Sequence, residues 1–302
     1  MPDDDISDPY DNFYSKDTVE CNYEKYMSLT PVGNRTAQGS ACYGDFFVQG
    51  YNYNGYLSLY NIKDKTYIAT INISDPAPSS KCHANTLNFG NQRYSEDDYF
   101  PILYVSSGYM KDGVSFIYAY RLEEPNFVDK ANYSVSLVQT ISLIDFGGWT
   151  EGIVDLENNL LWIACYKDDT ITFMEFNIPM IEAGDIVLSP SECIRSFDIK
   201  REPLPSSGQG TIIKNNKILF VSGVPSWNEA ITFTIVNTIT EQKEIVIDLV
   251  NIGLVNSHNY QDNTYEPEGV IFFNGQLMIC YRTAIYSFSI KKKSGFQELL
   301  LY

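Results

Sequence analysis

Positive charge is scarce in this chain. Its 21 Lys and Arg face 38 Asp and Glu, a formal net charge of -17. Nucleic-acid phosphates are held by basic stripes, and the only short one here, Lys291-Lys292-Lys293, reads as a solvated turn. The balance argues against nucleic acid as a partner and against an anionic membrane surface. No stretch approaches the roughly 20 apolar residues of a membrane span. Histidine is limited to His83 and His258. The six cysteines, at 21, 42, 82, 165, 193 and 280, show no CxxC or zinc-type spacing, which disfavours zinc. A Gly-x-Ser-x-Gly elbow, a phosphate loop and a dinucleotide fingerprint are all missing. Cys165 in "LWIACYK" and Cys280 in "LMICYR" occupy matching apolar runs and read as buried small hydrophobes. Cys21 and Cys82 flank polar segments and can pair with Cys42 or Cys193 in an oxidising compartment, with no connectivity fixed.

What the chain does have is aromatic and strand-forming. Aromatics reach 14%, with 23 Tyr, and 44% of residues are hydrophobic, enough for one large all-β domain. The opening "MPDDDISDPYDNFYSKD" is acidic and proline-interrupted, so residues 1–18 are expected to form a disordered arm. Such an arm is what remains when an export or lipoprotein signal is removed. The expectation is therefore an extracytoplasmic protein, periplasmic, surface-anchored or secreted, with a native acidic N-terminus on a cytoplasmic protein as the alternative.

Residues 19–302 contain a fivefold repeat. Polar-then-small pairs lead into apolar runs at Gln38-Gly39, His83-Ala84, Glu151-Gly152, Gln209-Gly210 and Glu268-Gly269. They recur roughly 45 to 68 residues apart. Each is followed by a second strand ("DFFVQG", "PILYVSSG", "NLLWIACY", "KILFVSG", "QLMICYR"), then a third and a fourth. Asn54-Gly55, Asn158-Asn159, Asn215-Asn216 and Asn274-Gly275 supply tight turns of positive φ. Five such units predict an all-β, five-bladed β-propeller of four-stranded antiparallel blades, forming a single domain. Blade 5 would take "FQELLLY" as its fourth strand, so the ring can close without a strand from the far terminus; "VECNYEKYMSL" can instead pack against an outer edge, and the sequence does not decide how the ring closes.

The first strand of a blade lines the central channel, so Gln38, His83, Glu151, Gln209 and Glu268 are expected to ring one mouth. Either these side chains tie neighbouring blades together around water, or they form a ligand site. Further candidates on the same face are Asn85, Trp149, Lys167, Trp227, Tyr265 and Arg282. Loop aromatics such as Tyr51, Tyr53, Tyr109, Tyr166 and Tyr281 would add platforms for a glycan or peptide. If the protein is an enzyme, Glu151, Glu268 and His83 are the acid/base candidates. Alternatively Glu151 and Glu268, with amide oxygens of Gln38, Gln209 and Asn85, would offer an oxygen cage to Ca²⁺. No other cofactor is indicated.

"TAQGSACYGDFFVQG" and "WTEGIVDLENNLLWIACYK" resemble the Gln-Gly and Glu-Gly strand openings of propellers related to the plant and bacterial type of glutaminyl cyclase. The resemblance implies a five-bladed propeller and, in that family, a channel-mouth glutamate that shuttles a proton as an N-terminal glutamine closes to pyroglutamate. A later Glu-Gly-Trp-Gly stretch has no counterpart, blade 4 reading "GQGTII". The favoured reading is an exported ligand-binding propeller with a glycan or peptide at the channel mouth. The alternatives are a cyclotransferase, lyase or hydrolase using Glu151 or Glu268, and a protein-interaction scaffold using the outer blade edges.

Overall fold

The computed structural model describes residues 13–14, 19–33, 35–52, 55–73, 83–108, 112–123, 133–202, 204, 208–225, 229–249 and 266–292. Two strands, β1 (Phe13–Tyr14) and β2 (Val19–Ser28), precede the first complete blade. Blade 1 comprises β3 (Ala37–Tyr43), β4 (Phe46–Tyr51), β5 (Tyr56–Asn61) and β6 (Thr66–Asn72). Blade 2 comprises β7 (Leu87–Phe89), β8 (Leu103–Ser106), β9 (Ser115–Glu123) and β10 (Ser134–Leu143). Blade 3 is built from β11 (Trp149–Asp155), β12 (Leu160–Lys167), β13 (Thr170–Asn177) and, after the short β14 (Ile186–Leu188), β15 (Arg195–Lys200). Blade 4 contains β16 (Gly208–Lys214), β17 (Lys217–Ser222), β18 (Thr232–Asn237) and β19 (Gln242–Asp248). Blade 5 contains β20 (Pro267–Phe273), β21 (Gln276–Tyr281) and β22 (Ala284–Lys292).

The repeated strands of each blade run from the channel outward in chain order, as the repeat predicts, with the N-terminal β2 and β1 added outside β22 and β19. Turn chemistry sets the hairpins. Asn215, Asn216, Asn274 and Gly275 all hold positive φ, which matches a two-residue turn to the twist of the strands it joins. Inner strands are buried almost throughout, whereas in β10 half-buried residues alternate with exposed ones at its start and with buried ones at its end. That gradient is why the repeat reads as apolar runs first and alternation later.

The core lies between blades rather than at the axis. Five apolar clusters fill the five gaps between adjacent blades, the one between blades 5 and 1 joining Phe47, Tyr60, Ile271, Met278 and Ile285. Met27 and Leu29 belong to this last cluster. They reach it because β2 pairs antiparallel with β22, from Val19 opposite Lys292 to Ser28 opposite Ala284. The N-terminal segment is thus the fourth strand of blade 5, a correction to the expected "FQELLLY", which lies outside the described residues. The ring is closed by joining both ends of the chain in one sheet.

Two blades carry an extra outer strand. β14 pairs in parallel with β10, and β1 pairs in parallel with β19. Phe13 and Tyr14 are therefore in a strand, and the rest of the 1–18 arm lies outside the described residues. Cys42, Cys165, Cys193 and Cys280 are free thiols, with Cys165 and Cys280 buried as expected. Among the described residues no helix is long and apolar enough to cross a membrane.

The closure makes Met27 a sensitive position. Met27→Ala should destabilise the protein by about 2–5 kcal/mol in urea unfolding. Replacement of exposed Lys25 in the same strand should change stability by less than about 0.5 kcal/mol. Equal, small effects at both positions would contradict closure through β2.

Candidate functional site at the channel mouth

The inner strands β3, β7, β11, β16 and β20 each touch the inner strand of the next blade, and β16 also reaches β3 and β7 across the axis. Main chain meets main chain where they converge. An added Cβ at Gly39 would lie 2.5 Å from the Asn85 carbonyl oxygen, and one at Gly210 would lie 2.6 Å from the Gly269 Cα. Glycine is required there for the reason the sequence implied.

In three blades the polar-glycine pair is also a β-bulge. The register skips between Ala37 and Ser40, between Gly208 and Thr211, and between Pro267 and Gly269. A bulge leaves one residue unpaired and re-aims its side chain. Gln38, Gln209 and Glu268 occupy these positions, and all three are buried. In β11 the pairing continues unbroken through Glu151 opposite Ala164.

The predicted residues fall into two groups. In the first, Asn85 donates from Nδ2 to Glu151 Oε1 at 2.8 Å and to the Gly208 carbonyl at 3.0 Å, crossing from blade 2 to blades 3 and 4. His83 Nδ1 contacts Asn85 Oδ1 at 2.8 Å, and Trp149 Nε1 donates to Glu151 Oε1 at 3.4 Å. Tyr166 and Thr211 hydroxyls donate to Glu151 Oε2 at 3.4 and 3.2 Å. Burial raises the Glu151 pKa, and the Asn85, Trp149 and Thr211 hydrogen bonds oppose the rise. His83 is pushed down by burial, so it favours the neutral ring. In blade 2 it is Asn85, not His83, that reaches the ring carboxylate. The chain turns between them at Ala84, whose φ is 48°.

The second group joins blades 4, 5 and 1. Gln209 Nε2 donates to Glu266 Oε1 at 3.2 Å. Arg282 donates to Glu266 Oε2 at 3.4 Å and to Thr36 Oγ1 at 2.9 Å. Arg282 Nε stands 4.0 Å from Glu268 Oε1, beyond hydrogen-bond distance. Glu268 is 0% exposed, and neither of its carboxyl oxygens has a hydrogen-bond partner among the described residues. The side-chain oxygen of Gln38, in the adjacent blade, is in the same condition. Burial lifts the Glu268 pKa well above the usual carboxylate range, the Glu266 charge adds to it, and Arg282 opposes it.

Glu151 and Glu268 share no hydrogen bond among the described residues, and the two groups meet only where Thr211 Oγ1 also reaches the Gln209 carbonyl at 3.3 Å. The five expected donors do not fit a Ca²⁺ cage. Asn85 turns its amide nitrogen to Glu151 and its oxygen to His83, while Gln209 offers nitrogen to Glu266. Hard cations need six or more oxygens facing one point. Lys167 is exposed at the end of β12, and Tyr51, Tyr166 and Tyr281 are buried rather than displayed as platforms. Trp227, Tyr265, Tyr53 and Tyr109 lie outside the described residues. Sequence reasoning missed Thr36 and Thr211, and it read Tyr166 as a ligand platform where the structure makes it a partner of Glu151. Only Thr211 carried a signal, since it follows Gln209 by two positions on an inner strand.

No family model and no curated protein sequence matches this chain. Among solved structures, the glutaminyl cyclase of Myxococcus xanthus superposes with a TM-score of 0.52 at 12% identity, over 91% of this chain and 99% of that one. The tail fiber of Staphylococcus aureus phage P68 gives 0.51 at 12% identity, over 93% of this chain and 54% of that one. The PQQ-bound aldose sugar dehydrogenase of Streptomyces coelicolor gives 0.49 at 8% identity, over 90% and 99%. At these identities the first two likenesses bear on the fold alone; the five blades are read from this chain's own sheets.

Glu268 should leave a mark on stability. The folded protein keeps a proton there that the unfolded chain loses once pH passes about 4.3. Its contribution therefore falls as pH rises from that value towards the raised folded pKa. Glu268→Gln should flatten the decline by up to about 1.4 kcal/mol per pH unit, read from urea unfolding between about pH 5 and 7. Parallel profiles for the two proteins would show that Glu268 is not protonated.

Proposed function

We propose that this propeller binds a ligand at the channel mouth, a glycan or a peptide, with Glu268 and Gln38 as the groups that receive it. The observation that carries the reading is the pair of unpartnered Glu268 oxygens on a fully buried side chain. A buried acceptor left unmade costs about 1–3 kcal/mol, so a structural role alone explains Glu268 poorly. It explains Glu151 well, because four side chains donate to it. Trp149, half-buried and edge-on to His83 at 6.2 Å, adds an apolar ring face beside the polar groups. An extracytoplasmic setting, argued from the acidic first 18 residues, is checked by cell fractionation.

A second reading is an enzyme using Glu151 or Glu268 as proton shuttle. What favours it is that burial pushes both carboxyls upward, as a general acid near neutrality requires. The likeness to a glutaminyl cyclase does not transfer that protein's activity to this chain.

Binding and turnover separate the two. Glycan and peptide arrays probed with wild type and Glu268→Gln should yield hits that the variant loses, with affinity for a chosen hit reduced about tenfold or more. Glu151→Gln should leave affinity within about threefold if the protein only binds. Loss of turnover in Glu151→Gln at unchanged affinity would favour the enzyme. Unchanged affinity in both variants would defeat the choice of site.

A further inference from the structure

The channel has a second end, and its chemistry is apolar. The inner strands start at the polar mouth and finish around a cavity of about 200 Å³. Each blade contributes to its wall, through Cys42, Phe89, Val154, Ile213 and Phe272. The amide and the ammonium in that wall are already engaged. Asn88 donates to the Thr211 carbonyl at 3.1 Å and accepts from the Val154 amide at 2.8 Å, and Lys214 donates to Glu157 at 2.6 Å. Ile213 and Phe272 are only half-buried, and Leu156 in the same wall is 45% exposed. An apolar cavity of about 150 Å³ accepts a benzene ring, so this one has room for one large apolar side chain.

The chain itself leads back to this end. β20 runs from the mouth to Phe273, β21 returns antiparallel to it and β22 runs out again, so Lys292 lies on the cavity's side of blade 5. Residues 293–302, "KSGFQELLLY", follow it outside the described residues. The place beyond β22 in the sheet, where the repeat would have put this run, is filled by β2 as far as Val19 opposite Lys292. Left in water, an apolar run with Phe296, Leu299, Leu300 and Leu301 is an aggregation hazard, so it needs another apolar partner.

Reach permits the cavity to be that partner. β22 stands two strand spacings, about 10 Å, out from β20 and its Phe272. The four residues from Lys292 to Phe296 extend about 13 Å, and Gly295 tolerates the backbone turn towards the axis. A tether this short also gives the segment an effective concentration in the millimolar range, ahead of a second copy or a dissolved ligand.

We propose that this chain's own residues 293–302 close the far end of the channel, with the Phe296 ring seated in the cavity framed by the five inner strands. The closure lies opposite the Glu268 mouth and is independent of what binds there.

Cys42, a free thiol in the cavity wall, reports on it. Phe296→Cys in the full chain, under mild oxidation, should form a disulfide between Cys42 and the introduced thiol within one chain, identified by peptide mass spectrometry. It should form at least about tenfold faster than from Lys293→Cys, which is held too near β22, or from Tyr302→Cys, which lies past the cavity. Iodoacetamide labelling of Cys42 should quicken about tenfold in Phe296→Ser, with the circular dichroism of the wild type retained, and Phe296→Leu should restore protection. Equal rates of bond formation from all three positions, or unchanged labelling in a folded Phe296→Ser protein, overturn the proposal. A Cys42 bond found only between two chains, and rising with protein concentration, overturns it in favour of a second copy. If Phe296→Ser does not fold, the comparison of the three introduced thiols decides alone.

Discussion

Five strands can share one axis only if main chain packs directly on main chain. A Cβ at Gly39 or Gly210 would fall within 2.6 Å of a neighbouring blade's backbone. This crowding determines much of what surrounds it. Glycine follows the polar residue in four blades, where a Cβ would meet backbone at Gly39 and Gly210 and the side chains of Ile117 and Ser40 at Gly152 and Gly269, and in three of the four the pair bulges. The bulge in turn carries Gln38, Gln209 and Glu268 out of the pairing pattern and into a buried polar cluster. Hydrophobic side chains have no room at the axis, so the apolar core is displaced outward into the five gaps between blades.

The same geometry separates the two acidic residues. Glu151 lies on a strand of unbroken register and accepts hydrogen bonds from Asn85, Trp149, Tyr166 and Thr211, which span three blades. It acts as a tie between blades. Glu268 sits in a bulge, lies near a guanidinium that is engaged with Glu266, and has no hydrogen-bond donor to its carboxyl among the described residues. One carboxyl is absorbed by the fold, and the other is buried with no hydrogen-bond partner among the described residues.

The blades were legible in the sequence because each is a local unit. Polar-small openings and apolar second strands occur in the same order five times, with Asn-rich turns between them in three blades, and the positive φ of Asn215, Asn216 and Asn274 bears out the turn chemistry. Closure was not legible. "VECNYEKYMSL" and "FQELLLY" both read as strands, and pairing between β2 and β22 joins residues more than 250 positions apart, which no local pattern reports. The site was half legible for the same reason. The repeated polar-small openings identified Gln38, Glu151, Gln209 and Glu268, but Thr211 meets Glu151 from 60 residues away and Asn85 meets it from 66. In blade 2 the glycine is replaced by Ala84 at positive φ, and this turn puts Asn85 where the repeat had pointed to His83.

The account depends most on Glu268 being a neutral carboxylic acid held ready in the channel. Infrared difference spectroscopy between wild type and Glu268→Gln near neutral pH addresses this directly. A protonated-carboxyl stretch present in the wild type and missing from the variant is the predicted result. Spectra that differ only in the carboxylate region would show Glu268 already ionised and paired, and would contradict the account.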